Sequence, residues 1–237
     1  MKSKNKYFLL SNVPKVLYEN RYCNQEGFSI LVCGGLKRNR KLTNQVLEVK
    51  FPSFEVAEFQ FMTKPHVCLK VATIHSEIFA FFDSNEQLGY SCTSVEVYSE
   101  KTKSWKHHYV NFEERFDFCL CSFMGKLYII GGSNKSTYEN DRSCYTYDIK
   151  SNKLNKMGDL SVARHYAACT VFEGKIVVAG GYNSNDGLLK SVEAFDYYEN
   201  KWTYLQDMIE ERFNHASVSM GNKLFVIGGY NKSSFSC

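Results

Sequence analysis

Three arginines occupy the same position in successive stretches of this sequence. Arg115, Arg164 and Arg212 each stand 16 residues before the first glycine of a Gly-Gly pair. Arginine binds a carboxylate through two parallel hydrogen bonds, so a repeated arginine could hold an acidic segment of another molecule. Acidic residues lie beside two of these arginines, at 113–114 and at 210–211. Pairing within the chain is therefore the alternative interpretation.

Other residue patterns that could support catalysis or metal binding are weak. The six histidines are spread along the chain and share no ligand spacing. Cys119 and Cys121 are two residues apart and fall on one face of a predicted strand, but no second pair with metal-ligand spacing accompanies them. No catalytic triad order, phosphate-binding glycine loop or paired-carboxylate motif stands out. The sequence predicts a binding protein without a cofactor or metal, and no enzyme.

Composition and charge exclude several classes of protein. The net charge of +4 on 237 residues is too small to indicate nucleic-acid binding. No apolar run approaches the length of a membrane span, and the nine cysteines follow no secretory signal. Free thiols in a reducing compartment, the cytoplasm, are the expectation. The basic run 37–41 is either a solvated loop or a signal that gives access to the nucleus.

The Gly-Gly pairs themselves recur at a regular interval. The pairs at 131–132, 180–181 and 228–229 are 49 and 48 residues apart, and the pair at 34–35 lies about twice that distance upstream of the first. Each pair follows a short run of β-branched and aromatic residues, and 77–82 supplies such a run in the gap. A period near 50 residues predicts stacked supersecondary units.

A second hairpin follows each Gly-Gly pair. Large apolar residues recur about 14 and 21 positions after the pair or its equivalent, with polar turn residues between them: Tyr98, Trp105, Tyr147, Phe195 and Trp202. We expect these side chains to fill the space between neighbouring units. Glycine is expected at the pairs because it tolerates positive φ and lets backbones approach closely. The paired positions are Gly34, Gly35, Gly131, Gly132, Gly180, Gly181, Gly228 and Gly229.

These units predict an all-β fold. Each unit has four antiparallel strands, and arranging such sheets around a ring covers both faces of each sheet. We predict a β-propeller of four full blades, 23–63, 64–110, 111–158 and 159–208, and a partial fifth, 209–237. Because an incomplete ring leaves exposed edges, we expect the sequence to be part of a longer propeller.

The combined pattern resembles the kelch repeat. It consists of Gly-Gly, then Tyr147-Asp148 or Phe195-Asp196, then Trp202 six residues after the aspartate. Residues 1–22 resemble the helical BACK segment that precedes the propeller in kelch-like ubiquitin-ligase adaptors. The resemblance implies substrate recognition for a cullin-type ligase, with the cullin engaged only through BTB and BACK domains that this sequence lacks. The alternative is an actin-binding, cytoskeletal kelch protein.

The resemblance also implies which residues face a protein partner. In kelch-like propellers, the starts of the inner strands and the loops after the Gly-Gly pairs meet the partner at one end of the ring. The implied contacts at the strand starts are Arg115, Asp117, Arg164, Tyr166, Arg212 and Asn214. Those in the loops are Lys37, Arg38, Ser84, Asn85, Ser133, Asn134, Asn183, Ser184 and Asn231. We expect this set to bind a short acidic or polar peptide segment.

Overall fold

The structure of this protein is a computed structural model that describes residues 7–10, 28–35, 37, 41–66, 69–82, 94–110, 112, 115–134, 136–149 and 151–232. Within these ranges the regular secondary structure is all strand. The strands are β1 Tyr7–Leu10, β2 Phe28–Cys33, β3 Val46–Phe51, β4 Glu55–Glu58, β5 Lys70–Ile74, β6 Glu77–Phe82, β7 Ser94–Ser99, β8 Ser104–Tyr109, β9 Arg115–Phe116, β10 Cys119–Phe123, β11 Lys126–Ile130, β12 Ser133–Asn134, β13 Cys144–Asp148, β14 Lys153–Lys156, β15 Ala168–Phe172, β16 Lys175–Ala179, β17 Tyr182–Asn183, β18 Gly187–Leu188, β19 Val192–Asp196, β20 Lys201–Tyr204, β21 Ala216–Met220 and β22 Lys223–Ile227.

The strands form four four-stranded sheets and one two-stranded sheet. The full sheets have the orders β1-β2-β3-β4, β5-β6-β7-β8, β10-β11-β13-β14 and β15-β16-β19-β20, and β21 pairs with β22. Short ribbons, β9 with β12 and β17 with β18, extend the third and fourth sheets beyond their glycine pairs. The predicted all-β architecture of four full blades and part of a fifth is confirmed.

The first blade differs from the prediction at its inner strand. Tyr7–Leu10 forms β1, which runs parallel to β2 with Tyr7 opposite Ser29. The expected helical segment is therefore wrong for residues 7–10, and the rest of 1–22 lies outside the described residues. The first blade also begins upstream of position 23. In the second, third and fourth blades the sheets are antiparallel throughout.

The glycine pairs join neighbouring blades through their backbones. The amide of Gly132 donates to the carbonyl of Arg164 in the next blade at 2.8 Å, and Gly181 donates to Arg212 at the same distance. Every glycine of the four pairs has positive φ. A Cβ on Gly131 would lie 2.6 Å from the Arg164 carbonyl oxygen. The expected reason for glycine, a close approach with left-handed backbone, is confirmed.

The apolar core lies between the blades. One cluster joins the first and second blades, a second joins the second and third, and a third joins the third and fourth. Tyr98 and Trp105 belong to the first cluster, Tyr147 to the second, and Phe195 and Trp202 to the third. The Trp202 indole donates to the carbonyl of Gly158 in the preceding blade at 2.8 Å. The predicted role of these large residues between blades is confirmed.

Candidate functional site

Arg164 lies inside the protein and binds its own blade. Its Nη1 donates to the carbonyls of Gly180 and Ser191 at 2.9 and 3.0 Å. Its Nη2 donates to the Ser191 hydroxyl and to Glu193 Oε1 at 3.0 and 2.7 Å. Arg164 is 1% exposed and Glu193 is fully buried. The prediction that Arg164 contacts a partner is wrong for this structure, because its guanidinium is already bound within the chain.

Arg115 makes a similar set of contacts in the third blade. Its Nη1 donates to the carbonyls of Gly131 and Ser143 at 2.9 and 3.2 Å, and its Nη2 donates to the Ser143 hydroxyl and pairs with Asp141. The guanidinium also lies 5.1 Å from the ring centre of Phe112 and 5.5 Å from that of Tyr145. Arg115 is buried, so its predicted partner contact is wrong as well. The acidic residues 113–114 lie outside the described residues.

His66 takes the same position in the second blade, opposite a buried acid. His66 Nε2 lies 2.9 Å from Glu96 Oε1, and the backbone amide and the hydroxyl of Thr63 also donate to Glu96. Burial alone would raise the pKa of Glu96, but the hydrogen bonds from His66 and Thr63 outweigh it and lower that pKa. The sequence analysis missed Glu96 and Glu193. Both stand two residues before the aromatic residue of the third strand, in Ser94-Val-Glu-Val-Tyr98 and Ser191-Val-Glu-Ala-Phe195.

The third arginine, Arg212, is less enclosed. Its Nη1 donates to the carbonyl of Gly228 at 2.8 Å, as Arg164 does to Gly180. Its Nη2 lies 3.8 Å from Glu210, and its side chain is 18% exposed. The alternative interpretation, pairing with a neighbouring acid, describes this contact.

The three residues two positions after the arginines meet at the start of the inner strands. Asp117, Tyr166 and Asn214 are left-handed, with φ of 51°, 54° and 52°. The amide of Tyr166 donates to the Asp117 carbonyl at 3.1 Å, and that of Asn214 donates to the Tyr166 carbonyl at 2.9 Å. All three are half-buried. The structure brings these three residues together in a continuous line across three blades, which we call the inner rim.

Aromatic side chains run alongside the inner rim. We call Phe116, His165, Tyr166, Tyr182, Phe213 and Tyr230 the aromatic row. Neighbouring ring centres along it are 4.5 to 6.4 Å apart. Tyr182 and Tyr230 are exposed. The sequence analysis missed most of this row, although its members directly follow either the repeated arginines or the glycine pairs.

A polar network fixes one part of the row. Asn140 Nδ2 donates to His165 Nδ1 at 2.6 Å, and Asn140 Oδ1 accepts from the amide of Ser184 at 2.8 Å. The amide group of Asn140 can only donate to the ring, so Nδ1 of His165 carries no proton. Burial lowers the pKa of His165 below its ordinary value, although Asp117 acts in the opposite direction. Asn140 therefore links the loops of the third and fourth blades through a neutral imidazole.

Comparison with known proteins identifies the repeat. The family described as "KLHDC2/KLHL20/DRC7 Kelch-repeats domain" matches residues 69–236, which is well over half of the chain. The chain belongs to the kelch-repeat family. The resemblance found in the sequence is confirmed, and kelch repeats support a role as a protein-interaction module.

Several curated proteins share part of the kelch region. The chain is 29% identical over 106 residues to the F-box/kelch-repeat protein At2g44130 of Arabidopsis thaliana, a match over 42% of this chain and 25% of that protein. It is 33% identical over 109 residues to spermatocyte protein spe-26 of Caenorhabditis elegans, over 43% and 19%. It is 26% identical over 106 residues to alpha-scruin of Limulus polyphemus, over 43% and 12%. The matches thus cover a quarter or less of the length of these relatives.

A solved structure shares the fold. The protein titled "Structure of YjhT" superposes with a TM-score of 0.70 at 12% sequence identity, over 94% of this chain and 79% of that chain. At this identity the likeness concerns the fold alone. The predicted kelch-type propeller is confirmed at this level.

The predicted loop residues of the kelch region fall into two groups. Ser133 and Asn183 are buried, and Asn183 holds its own loop by bonding Ala163 and Asp186. Asn134 accepts two amides of its own turn. These three have structural roles, and their predicted partner contacts are not supported. Lys37 and Ser184 are exposed, and Asn231 is half-buried beside Glu210; Arg38, Ser84 and Asn85 lie outside the described residues.

Two searches of the described residues complete the description. They contain no group of three or more His, Cys, Asp or Glu side chains placed to hold a metal ion. No helix among them is both long and apolar enough to span a membrane. The surface that remains combines aromatic rings with short amide and hydroxyl groups. It can pack against apolar side chains and hydrogen-bond to a peptide backbone.

Proposed function

We propose that this kelch propeller binds an extended segment of a partner protein across the inner rim and the aromatic row. The observation that carries the proposal is the line Asp117–Tyr166–Asn214, joined by backbone hydrogen bonds and flanked by rings that include the exposed Tyr182 and Tyr230. Rigid aromatic residues beside polar groups are frequent at the energetic centres of protein interfaces. A fixed backbone also lowers the entropy cost of binding.

The chemistry of this surface changes the kind of segment that we expect. Preference for an acidic segment depended on the repeated arginines, and two of these are buried among internal acceptors. The aromatic row instead suits a segment with apolar or aromatic side chains. Asn140, Ser184 and Asn214 are placed to bond its backbone. The proposed ligand is therefore a mainly apolar peptide with few charges.

The wider role that we propose is substrate recognition for a cullin-type ubiquitin ligase in the cytoplasm. The sequence resemblance to kelch-like adaptors supports it, and so does the match to a relative named as an F-box/kelch-repeat protein. Other domains, such as BTB and BACK, would recruit the cullin, and the propeller would only bind. The competing role is that of an actin-binding kelch protein.

A peptide-library selection on the purified chain tests the binding proposal. Selected peptides are titrated by calorimetry against the wild type, Tyr166→Asn, Tyr182→Ala and Tyr198→Ala. Tyr166→Asn removes a ring and keeps a residue that accepts left-handed backbone. Tyr198 is the matched control, because this 89% exposed tyrosine lies in the β19–β20 turn, at the opposite end of the blade from the glycine pair.

The proposal expects peptides rich in apolar residues that bind about tenfold more weakly to Tyr166→Asn, a loss of about 1.4 kcal/mol. Tyr182→Ala should also weaken binding, and Tyr198→Ala should not. Selected peptides that bind all four proteins equally would place the site elsewhere. Saturable cosedimentation with filamentous actin, unaffected by Tyr166→Asn, would favour the cytoskeletal role over the ligase role.

A further inference from the structure

The outer edge of β22 has no neighbouring strand among the described residues. β22 pairs with β21 on one side. The equivalent strands in the second, third and fourth blades pair on both sides, with β7, β13 and β19 as their outer partners. The backbone groups of β22 that point away from β21 are therefore exposed as an edge, and such an edge is a ready site for adding a strand.

Arg212 marks what is missing at this edge. In the fourth blade, Arg164 uses Nη2 to bind the Ser191 hydroxyl and Glu193, which both come from the outer partner of β16 or the residue before it. Arg115 binds the Ser143 hydroxyl in the same way. Arg212 keeps the contact with its own glycine pair, but its acidic neighbour is Glu210, at 3.8 Å and 56% exposed.

The outer partner strands of the full blades share a sequence pattern. It is serine, one residue, glutamate or tyrosine, one residue, and then an aromatic: 94–98 SVEVY, 143–147 SCYTY and 191–195 SVEAF. In the fourth blade Glu193 lies opposite Val178 and Phe195 lies opposite Ile176. The equivalent positions on β22 are Val226 and Leu224. The other blades therefore give both the register and the side chains of a strand that would fit.

We propose that β22 accepts an antiparallel strand from a partner protein with the pattern Ser-x-Glu-x-(Phe/Tyr). Its serine lies opposite Gly228, its glutamate opposite Val226 and its aromatic residue opposite Leu224. The serine and glutamate bind Arg212, which carries the charge complementary to the strand. Backbone hydrogen bonds to the edge supply the affinity, and the Arg212 contacts set the register. This site is on the open edge of the fifth blade and is independent of the aromatic row.

A peptide with the sequence of residues 189–197 is the probe, because it carries the fourth-blade pattern. Labelled peptide is titrated into the chain and followed by fluorescence anisotropy. Three altered peptides isolate the interactions: one with glutamine for the glutamate, one with alanine for the serine, and one N-methylated at the glutamate. The last of these blocks backbone pairing without changing the protein. Arg212→Ala is compared with Arg142→Ala, whose side chain is 62% exposed.

The expected result is saturable binding that weakens about tenfold with the glutamine peptide and with Arg212→Ala, since each removes a charged hydrogen bond. The N-methylated peptide should not bind, and Arg142→Ala should bind as the wild type does. Absence of saturable binding to a chain that melts cooperatively would overturn the proposal. Equal binding of the glutamine peptide would also overturn it. A concentration-dependent dimer with β22 protected from hydrogen exchange would assign the edge to a second copy instead.

Discussion

The backbone carbonyl of Arg164 accepts the amide of Gly132 at 2.8 Å, while the Arg164 side chain donates to the carbonyl of Gly180 at 2.9 Å. One residue therefore holds the glycine pairs of two adjacent blades. The same arrangement is repeated around the ring, where Gly181 donates to Arg212 and Arg212 donates to Gly228. The repeated basic residue is a connector between blades, and this explains why its spacing to the glycine pair is constant.

Replacing Arg164 should destabilise the fold strongly. Arg164→Ala leaves Glu193 as a buried charge whose remaining donors are the amides of residues 161 and 162. Breaking a buried pair in this way costs about 3–5 kcal/mol. Urea unfolding measures the change. Lys175→Ala is the control, since its pair with Asp196 is solvent-exposed and should contribute at most about 1 kcal/mol. Equal stabilities of the two variants would contradict the structural role of Arg164.

The glycine pairs offer a matched comparison between close contact and backbone strain. Gly131→Ala places a Cβ 2.6 Å from the Arg164 carbonyl oxygen, whereas Gly174, with φ of +72°, has no atom within 4 Å of that position. Gly174→Ala should cost about 1 kcal/mol through left-handed strain alone. Gly131→Ala should cost at least about 2 kcal/mol more, because the blades must separate. Thermal melts of both variants measure the difference, and similar melting temperatures would argue against tight contact between the blades.

Trp202 should contribute more stability than its neighbours on β20. Its ring is buried between the third and fourth blades, and its indole nitrogen bonds Gly158. Trp202→Ala should therefore cost about 3–5 kcal/mol. Tyr204, on the same strand, is 56% exposed, and Tyr204→Ala should change stability by less than about 1 kcal/mol. Denaturant titration of both variants checks this. Comparable losses would mean that packing between the blades is not where the stability lies.

The half-buried His165 gives a pH dependence with a definite sign. Its pKa is lowered by burial, so the unfolded chain binds the proton more readily than the folded chain does. Stability should fall as the pH drops from about 7, through the ordinary histidine value of about 6.5, toward the lowered value. His165→Gln should flatten this fall in part, because the pKa of His107 is also lowered. Urea midpoints between pH 5 and 8 test it, and an unchanged profile in His165→Gln would contradict a neutral His165.

The sequence predicted the architecture well because the fold depends on local repeats. Gly131 and Gly132 mark a left-handed turn, and Trp202 marks an apolar gap, and both signals are visible in residue type and spacing. The position of Arg164 was equally visible, but its burial was not. That burial depends on Glu193, which lies 29 residues away and on another strand. Reading the third-strand pattern together with the arginines would have indicated an internal pair.

The aromatic row was missed for a related reason. Phe116, His165 and Phe213 differ in type, so no single motif marks them, and their contacts join different blades. The inner rim was found because Asp117, Tyr166 and Asn214 were considered by position alone. What the sequence does not contain is the left-handed backbone that places these three residues in a line.

The hydrogen-exchange footprint of a selected peptide on the wild-type chain tests the central claim most directly. The proposed function expects slowed exchange in segments 164–167, 181–185 and 212–214, which contain the inner rim and the aromatic row. Exchange in the β19–β20 turn at 196–201 should not change. Protection confined to that turn, or to the β22 edge at 223–228, would contradict binding at the inner rim. The same experiment would then show where the partner segment does bind.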